Sequence, residues 1–304
     1  MERSPDVEFR ATVQAPSYFE DLTERCAVKL TSLLRITGPP HYNLWQEQVG
    51  GPHFRERTGQ FIPIYAMDLE VTDEPVETRD AFDVDVTIRL GQERGPDGRV
   101  QRLLSEGETA VWAHRASGGE RVCIGRTRKH SVFTRPDPDP AQRRVTELHP
   151  YMRFSGLPTR AMHLIGAEEL LAPPAGFEAA DAGAQRDAGP HVWSYQQTDP
   201  NQHIHAMEYV RTLELFATDL LACCGRSPRY FFFDRARVLF RRPCFTGDFY
   251  RRSGRFYLSP DGSRDLFIGS LGRVRPEGPP DADEAPAVVI QLSVRNRPGG
   301  ASHA

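Results

Sequence analysis

Two stretches of the chain carry apolar residues at the spacing of an amphipathic helix. The first stretch, within residues 19–35, has them at Phe19, Leu22, Cys26, Leu30 and Leu33. The second has them at Ala206, Val210, Leu213, Ala217, Leu220 and Cys224. Residues three or four apart lie on one face of a helix, so each set predicts one helix that packs against a core.

Runs of β-forming residues, separated by turn residues, follow each predicted helix. They predict four strands after the first helix, at residues 61–71, 79–92, 100–115 and 121–133. Four more are predicted after the second helix, at residues 229–241, 248–258, 265–275 and 287–296. A short strand-like segment also precedes each helix, at Val7–Gln14 and at His191–Gln197. The order of strand, helix and four strands therefore occurs twice.

Two short motifs recur at matching points of the two halves. Pro75–Asp80 and Pro243–Asp248 share the pattern P-x-x-T-x-D. Pro-Asp-Gly follows in both halves, within Gly95–Arg99 and Ser259–Ser263, and favours a tight turn between antiparallel strands. These matches indicate an internal duplication with a hairpin in each half.

One long helix with an antiparallel sheet, present twice, predicts an α+β protein of two hotdog units in tandem, each a helix wrapped by a curved sheet. We assign residues 1–135 to the N-terminal hotdog, 136–189 to a Pro-, Ala- and Asp-rich linker, 190–298 to the C-terminal hotdog and 299–304 to a tail. Two such units would form an internal pseudo-dimer through their sheets, and a homodimer of the whole chain is compatible with this arrangement.

Composition narrows the class of protein and the range of cofactors. With 304 residues, 39% of them hydrophobic and 26% charged, and a net charge of −3, the chain is expected to be soluble and globular, with no nucleic-acid or membrane partner. Five cysteines without C-x-x-C spacing, and a start without an apolar signal segment, favour a cytoplasmic protein. There is no Gly-rich phosphate loop, and His203-x-His205 lacks an evident third ligand, so we predict neither a cofactor nor a metal.

The densest group of polar residues, Thr198–His205, lies at the start of the second predicted helix. Asp199 or Asn201 suits the cap of that helix, and Pro200 suits the bend into its first turn. The start of a helix offers free N–H groups and partial positive charge, which favour an oxyanion. This segment is therefore the candidate catalytic site.

Asp199-Pro-Asn-Gln-His203, followed by Tyr209 and Leu213-Glu214, resembles the D-x-N-x-H motif and following helix of plant-type acyl-acyl-carrier-protein thioesterases, which are double-hotdog enzymes. Arg241-Arg-Pro-Cys244 is similar to that family's R-R-E-C stretch on the next strand. The resemblance implies hydrolysis of an acyl thioester of a carrier protein or coenzyme A, in fatty-acid or polyketide release. It implies that Asp199 orients its neighbours, Asn201 holds the carbonyl or a water molecule and His203 transfers a proton. It also implies that the N-terminal hotdog houses the acyl chain.

Two positions depart from the family's pattern. Pro243 stands where the family has its catalytic glutamate, and His205 stands where an asparagine is common. Because proline can act neither as an acid nor as a base, proton transfer would fall to His205, to Glu208 or to the motif's own aspartate and histidine. Cys244 keeps the family's cysteine position and is a further accessory candidate.

Other functions stay open at this point. Asp199-x-x-x-His203 also resembles a motif of double-hotdog polyketide dehydratases, and His114-Arg-Ala-Ser-Gly118 resembles the start of their partner motif, which would imply dehydration or cyclisation of a carrier-bound chain. Pro243 would instead fit a non-catalytic acyl-binding relative. Residues 200–275 hold 13 arginines against 7 acidic residues, so Arg241 and Arg242 are candidates for docking an acidic carrier protein.

Overall fold

The computed structural model of the protein describes residues 7–51, 53–77, 81–116, 118–152, 154, 156–160, 165–180, 183–199, 203–223, 230–274 and 286–297. The chain forms two compact units, Met1–Leu164 and Ile165–Ala304. The division falls inside the stretch 136–189 that the sequence assigns to a linker. Thr159, in that stretch, bridges to Gln92 within the N-terminal unit, so part of the stretch is built into a unit.

The N-terminal unit is a five-stranded antiparallel sheet with one long helix against it. Its elements are β1 (Glu8–Ala15), α1 (Leu30–Trp45), α2 (Phe54–Thr58), β2 (Ile64–Val71), β3 (Phe82–Arg94), β4 (Val100–His114) and β5 (Arg121–Val132). The strands lie in the order β1-β3-β4-β5-β2, and each pair of neighbours is antiparallel. The helix α1 contacts all five strands and buries Leu30, Leu33 and Ile36. The core of this unit therefore lies between α1 and the sheet.

The first helix is not where the apolar stripe at residues 19–35 predicts it. Phe19 begins a 3-10 turn and is 84% exposed, and Cys26 has a left-handed backbone with φ of 60°. The early part of the stripe is therefore a loop whose apolar residues share the spacing of a helix by chance. The helix α1 instead continues far beyond the stripe, through Pro39 and Pro40. Each of these prolines removes one backbone donor from the helix, and the ring of Pro39 is exposed.

The C-terminal unit repeats the arrangement. Its elements are α3 (Ala167–Leu171), β6 (Glu178–Ala179), β7 (Gln185–Arg186), β8 (His191–Val192), α4 (Ala206–Cys223), β9 (Phe231–Phe240), β10 (Phe249–Leu258), β11 (Arg264–Val274) and β12 (Val288–Asn296). The main strands lie in the order β9-β12-β11-β10, and β6, β7 and β8 each pair antiparallel with β10. The helix α4 packs on β10, β11 and β12. The second predicted helix is thereby confirmed, whereas the strand predicted before it shortens to β8 and a 3-10 turn at Tyr195–Gln197.

Both Pro-Asp-Gly turns connect neighbouring antiparallel strands, as predicted. Gly98, between β3 and β4, has φ of 74°, and Gly262, between β10 and β11, has φ of 64°. The N–H of Gly98 donates to the carbonyl of Gly95 at 2.9 Å, and that of Gly262 donates to Ser259 at 3.0 Å. Glycine occupies these positions because other residues rarely adopt a left-handed backbone. No helix in the described ranges is long and apolar enough to span a lipid bilayer.

Candidate functional site

A tight loop before α4 brings two of the predicted site residues together. Thr198 and Ile204 form an isolated antiparallel bridge, and between them the N–H of Asp199 donates to the carbonyl of His203 at 2.9 Å. Asp199 and His203 are therefore opposite each other across the loop, and both are half-buried. Asn201, at the tip of this motif in the sequence, lies outside the described residues.

The turn before β10 lies directly against this loop. The N–H of Ile204 donates to the carbonyl of Cys244 at 2.9 Å. The ring of His203 meets the ring of Phe245 edge to face, with centroids 5.3 Å apart. The two sequence motifs that resemble the thioesterase family, although distant in the chain, are therefore in contact in the structure.

The residues just before Cys244 are at the surface. Arg241 and Arg242 each donate a backbone N–H to the carbonyl of Ala287, at 2.8 Å and 3.2 Å, and both residues are exposed. Pro243 is exposed as well. The two arginines proposed for docking a carrier protein thus lie on the same turn that touches the Asp199–His203 loop.

A buried tyrosine connects the turn, the loop and the helix. The hydroxyl of Tyr209, in the first turns of α4, accepts a hydrogen bond from the N–H of Cys244 at 2.8 Å. The ring of Trp193 meets that of Tyr209 edge to face at 5.3 Å. Burial, and then the charges of neighbouring Cys244 and Asp199, raise the pKa of Tyr209 well above its usual value, so the phenol stays protonated. Sequence reasoning gave Tyr209 no role, because only the fold shows that its hydroxyl reaches Cys244.

Cys244 is in a poor environment for a nucleophile. It is 1% exposed, and burial raises the pKa of its thiol in spite of the neighbouring Tyr209 hydroxyl, which acts in the opposite direction. Because the thiolate is the reactive form of cysteine, a buried thiol with a raised pKa is inert. The position of Cys244 indicates that it packs and fixes the turn rather than attacks a substrate.

His205 caps the helix α4. The ring Nδ1 of His205 accepts a hydrogen bond from the backbone N–H of Met207 at 3.2 Å. The backbone N–H of His205 donates to the carbonyl of Gln197 at 2.8 Å. His205 therefore stabilises the first turn of α4.

Glu208 connects this region to a cleft of about 460 Å³. Its carboxylate accepts a hydrogen bond from Nε2 of Gln197 at 3.3 Å, lies 3.9 Å from the Arg211 guanidinium and is 12% exposed. The cleft is lined by Ser194, Gln196, Gln197, Glu208, Arg211, Thr212, Leu215, Tyr250 and Arg252. Among the predicted site residues that the structure describes, Glu208 lines this cleft, whereas Asp199, His203 and Cys244 do not.

An ion pair fixes the β10 wall of the cleft. Arg252 donates from Nε to Oδ2 of Asp187 and from Nη2 to Oδ1, each at 3.0 Å, and Nε2 of His191 lies 3.0 Å from the same carboxylate. Burial acts to raise the pKa of Asp187, but the hydrogen bonds and the charge of Arg252 outweigh it and lower this pKa. His191 in turn stacks on Tyr250, with centroids 5.4 Å apart. This group of side chains could not be predicted from the sequence, because it depends on the pairing of short strands with β10.

Within the described part of the chain, no group of three or more His, Cys, Asp or Glu side chains is arranged to hold a metal ion. The arrangement at the start of α4 offers acid–base chemistry: an imidazole at His203, carboxylates at Asp199 and Glu208, and the positive end of a helix.

No protein-family model matches the chain, and no curated protein matches it. Solved structures match it over nearly its whole length. A protein from Lactobacillus plantarum, provisionally assigned as an oleoyl thioesterase, has a TM-score of 0.63 and 15% sequence identity, with 97% of each chain covered. The 12:0-ACP thioesterase from Umbellularia californica has a TM-score of 0.58 and 13% identity, over 95% of this chain and 94% of its own. An acyl-ACP thioesterase from Bacteroides thetaiotaomicron has a TM-score of 0.53 and 11% identity, over 94% of this chain and 98% of its own. The chain therefore has the double-hotdog fold of these thioesterases, which confirms the α+β fold predicted from the sequence.

Proposed function

We propose that the protein hydrolyses acyl thioesters of a carrier protein or of coenzyme A and releases a fatty or polyketide-type acid. The observation that carries this proposal is the contact between the Asp199–His203 loop and the Cys244 turn at the start of α4. The fold shared with solved thioesterases supports it.

In the proposed reaction, His203 takes a proton from a water molecule as that water attacks the thioester carbonyl carbon. The negative charge that develops on the carbonyl oxygen is stabilised at the positive end of α4. The carbon–sulfur bond then breaks, and the proton returns from His203 to the leaving thiolate. The products are the free acid and the thiol of the carrier, and Asp199 orients the loop that holds His203.

Glu208 is our candidate for the carboxylate that Pro243 does not supply. It lies in the first turn of α4, and Gln197 connects it to the loop, since Gln197 donates to the Glu208 carboxylate and accepts from the N–H of His205. A carboxylate beside the cleft can hold the attacking water or accept its proton. In this scheme Glu208 complements His203 rather than replacing it.

An acidic carrier protein suits the exposed Arg241 and Arg242, because these positive charges lie on the turn that touches the site. A carrier delivers its substrate on a flexible phosphopantetheine arm, so its own surface needs only to dock beside the site. We therefore expect acyl-carrier-protein thioesters to be hydrolysed with a lower KM than the matching coenzyme A thioesters.

The experiment is to incubate the purified protein with acyl and 3-hydroxyacyl thioesters, of graded chain length, of a carrier protein and of coenzyme A. Free thiol is followed by a thiol reagent, and the intact carrier adduct is followed by mass spectrometry. We expect thiol release with the wild-type protein, and a rate about 10²–10⁴-fold lower for His203→Ala, which is the usual contribution of a positioned acid or base. Asn201→Ala and Glu208→Gln are expected to lower the rate as well.

His114→Ala is the matched control. His114 is exposed at the end of β4 and is the residue that a dehydratase reaction would require. Hydrolysis predicts that this variant releases thiol at the wild-type rate. Loss of one water from an adduct that stays on the carrier would instead establish a dehydratase, and binding without any change in mass would establish a non-catalytic protein. Equal turnover of His203→Ala and the wild-type protein would refute the assignment of the site.

A further inference from the structure

The P-x-x-T-x-D motif, which recurs in both units, places its second residue against the segment that leads into the long helix. In the N-terminal unit, the N–H of Val76 donates to the carbonyl of Cys26 at 3.0 Å. In the C-terminal unit, the carbonyl of Cys244 accepts from the N–H of Ile204 at 2.9 Å. The third residue of the motif is therefore close to the entry of the helix in each unit.

The two units differ at this third residue. In the C-terminal unit it is Phe245, whose ring meets the imidazole of His203 edge to face, with centroids 5.3 Å apart and planes at 69°. In the N-terminal unit it is Glu77, and the segment before α1, residues 16–29, contains no histidine. The aromatic residue is thus present in the unit whose loop carries the histidine of the proposed reaction.

A tight turn fixes the backbone of Phe245. The N–H of Asp248 donates to the carbonyl of Phe245 at 3.0 Å, and Gly247, just before Asp248, has φ of 84°. A type II turn requires such a left-handed residue at its third position, which favours glycine. The N–H of Gly247 donates to the carbonyl of Trp193 at 3.0 Å, and the N–H of Trp193 donates to that of Asp248 at 3.1 Å. Because Trp193 is 1% exposed, the turn is anchored to the core of the unit.

The carboxylate of Asp248 closes the same turn through its side chain. Its Oδ2 accepts a hydrogen bond from the N–H of Phe245 at 2.8 Å, and its Oδ1 accepts one from Nη2 of Arg273, on β11, at 2.9 Å. A hydrogen bond from a backbone N–H to an ionised carboxylate is stronger than one to a neutral acceptor. The last residue of the motif therefore holds the third residue in place, and Arg273 orients the carboxylate that does so.

The imidazole of His203 lies on a loop rather than in a helix or a strand. The loop is closed by the bridge between Thr198 and Ile204 and by the hydrogen bond from the N–H of Asp199 to the carbonyl of His203. These backbone contacts leave the orientation of the imidazole to the side chains around it. Aromatic rings at this separation and tilt attract each other and have a preferred relative orientation. Phe245 therefore restricts the directions in which the imidazole can point.

We propose that Phe245 is a positioning residue for the hydrolysis described above. Its ring holds the imidazole of His203 in the orientation in which it takes a proton from the attacking water, and Asp248 holds Phe245. This inference rests on the proposed function, since it concerns the residue that transfers the proton there. A base that points away from the water for part of the time slows the chemical step without weakening the binding of the substrate.

Three substitutions separate the ring of Phe245 from its bulk. Phe245→Leu keeps an apolar side chain without a ring, and Phe245→Tyr keeps the ring. Phe19→Leu is the matched control, because it makes the same change at a phenylalanine that is 84% exposed in the N-terminal unit.

Phe245 is 41% exposed, so Phe245→Leu leaves no large cavity and should fold like the wild-type protein. With an acyl-carrier-protein thioester, we expect Phe245→Leu to lower kcat about tenfold and to change KM by less than about twofold. Phe245→Tyr should keep kcat within about twofold of the wild-type value, and Phe19→Leu should match the wild-type protein.

The NMR signals of the His203 imidazole provide a measurement that does not depend on activity. A neighbouring aromatic ring shifts the signals of imidazole protons, and His203→Ala identifies those of His203 in protein labelled with carbon-13 at histidine. We expect Phe245→Leu and Asp248→Ala to move these signals, whereas Phe245→Tyr should move them much less and Phe19→Leu should leave them in place. Asp248→Asn keeps an acceptor for the N–H of Phe245, so it should lie closer to the wild-type protein than Asp248→Ala, both in kcat and in these signals.

The outcomes distinguish this proposal from the proposed function. A wild-type protein that releases no thiol from any of the thioesters overturns both. If the wild-type protein is active, the positioning role of Phe245 is overturned when Phe245→Leu has the wild-type kcat, or when it leaves the His203 signals unchanged. An equal loss of kcat in Phe245→Tyr and Phe245→Leu would overturn it as well. So would a rise in KM at unchanged kcat, because Phe245 would then bind the substrate instead of orienting His203.

Discussion

Replacing Lys129, which lies on β5 and is 4% exposed, with methionine should make the protein more stable. The substitution keeps an unbranched side chain of similar length and removes a charge that the core does not neutralise. Burial lowers the pKa of Lys129 from its ordinary value of 10.5 to about 8 in the folded protein. Each pH unit of this difference corresponds to about 1.36 kcal/mol, so the charged lysine costs the folded state ~3.4 kcal/mol at pH 7.

The cost depends on pH in a defined direction. Between pH 8 and pH 10.5 the unfolded chain binds a proton that the folded chain does not, so the stability of the wild-type protein rises with pH across this window. The difference between Lys129→Met and the wild-type protein should therefore shrink to ~2 kcal/mol at pH 9 and to ~0.8 kcal/mol at pH 10. Other groups titrate in both proteins and cancel in the difference.

Urea unfolding at pH 7, 9 and 10, followed by circular dichroism, measures this difference, and Lys29→Met serves as the control for loss of a surface lysine. The control should stay within about 0.5 kcal/mol of the wild-type protein at each pH. If Lys129→Met is less stable than the wild-type protein, or if its advantage does not change with pH, Lys129 is neutralised within the fold and the reasoning fails.

Two further substitutions test contacts in the two units. Gly107→Ala should lower the free energy of unfolding by about 1–3 kcal/mol, because the added Cβ would lie 2.2 Å from Nε2 of His41. Gly156→Ala is the control: no atom lies within 4 Å of its added Cβ, so its free energy of unfolding should stay nearly unchanged. Tyr209→Phe should cost about 1–3 kcal/mol, because the buried N–H of Cys244 loses its acceptor. A melting temperature equal to that of the wild-type protein would show that the hydroxyl of Tyr209 does not hold the turn.

The C-terminal unit follows closely from the sequence, whereas the start of the N-terminal helix does not. The helix α4 and the strand β12 lie within a residue or two of their predicted limits, because apolar residues recur at helical spacing in α4 and make up most of the buried positions of β12. The stripe that begins at Phe19 has the same periodicity in a segment that forms a loop. Periodicity alone cannot separate these cases, since burial of each side chain depends on which strands come to cover it.

The candidate site also contains contacts that the sequence predicts and contacts that it does not. Asp199 and His203 are four residues apart in the sequence, so a short motif is enough to predict that they lie close together. The contact of Tyr209 with Cys244, and that of His41 with Gly107, depend on how distant segments pack and pair. A sequence gives no direct information on such registers, so the burial of Lys129 opposite Gly107 and Met67 could not be predicted from it.

The three two-residue strands along β10 bear on how the protein avoids self-association. A ten-residue strand at the end of a sheet presents unpaired backbone groups that can pair with another chain. Short pieces at Glu178–Ala179, Gln185–Arg186 and His191–Val192 occupy that edge. The Ala- and Gly-rich stretch that carries them is thus a protective cover as well as a connection. Proteolytic cleavage or shortening of this stretch is expected to uncover the backbone groups of β10 and allow them to pair with another chain.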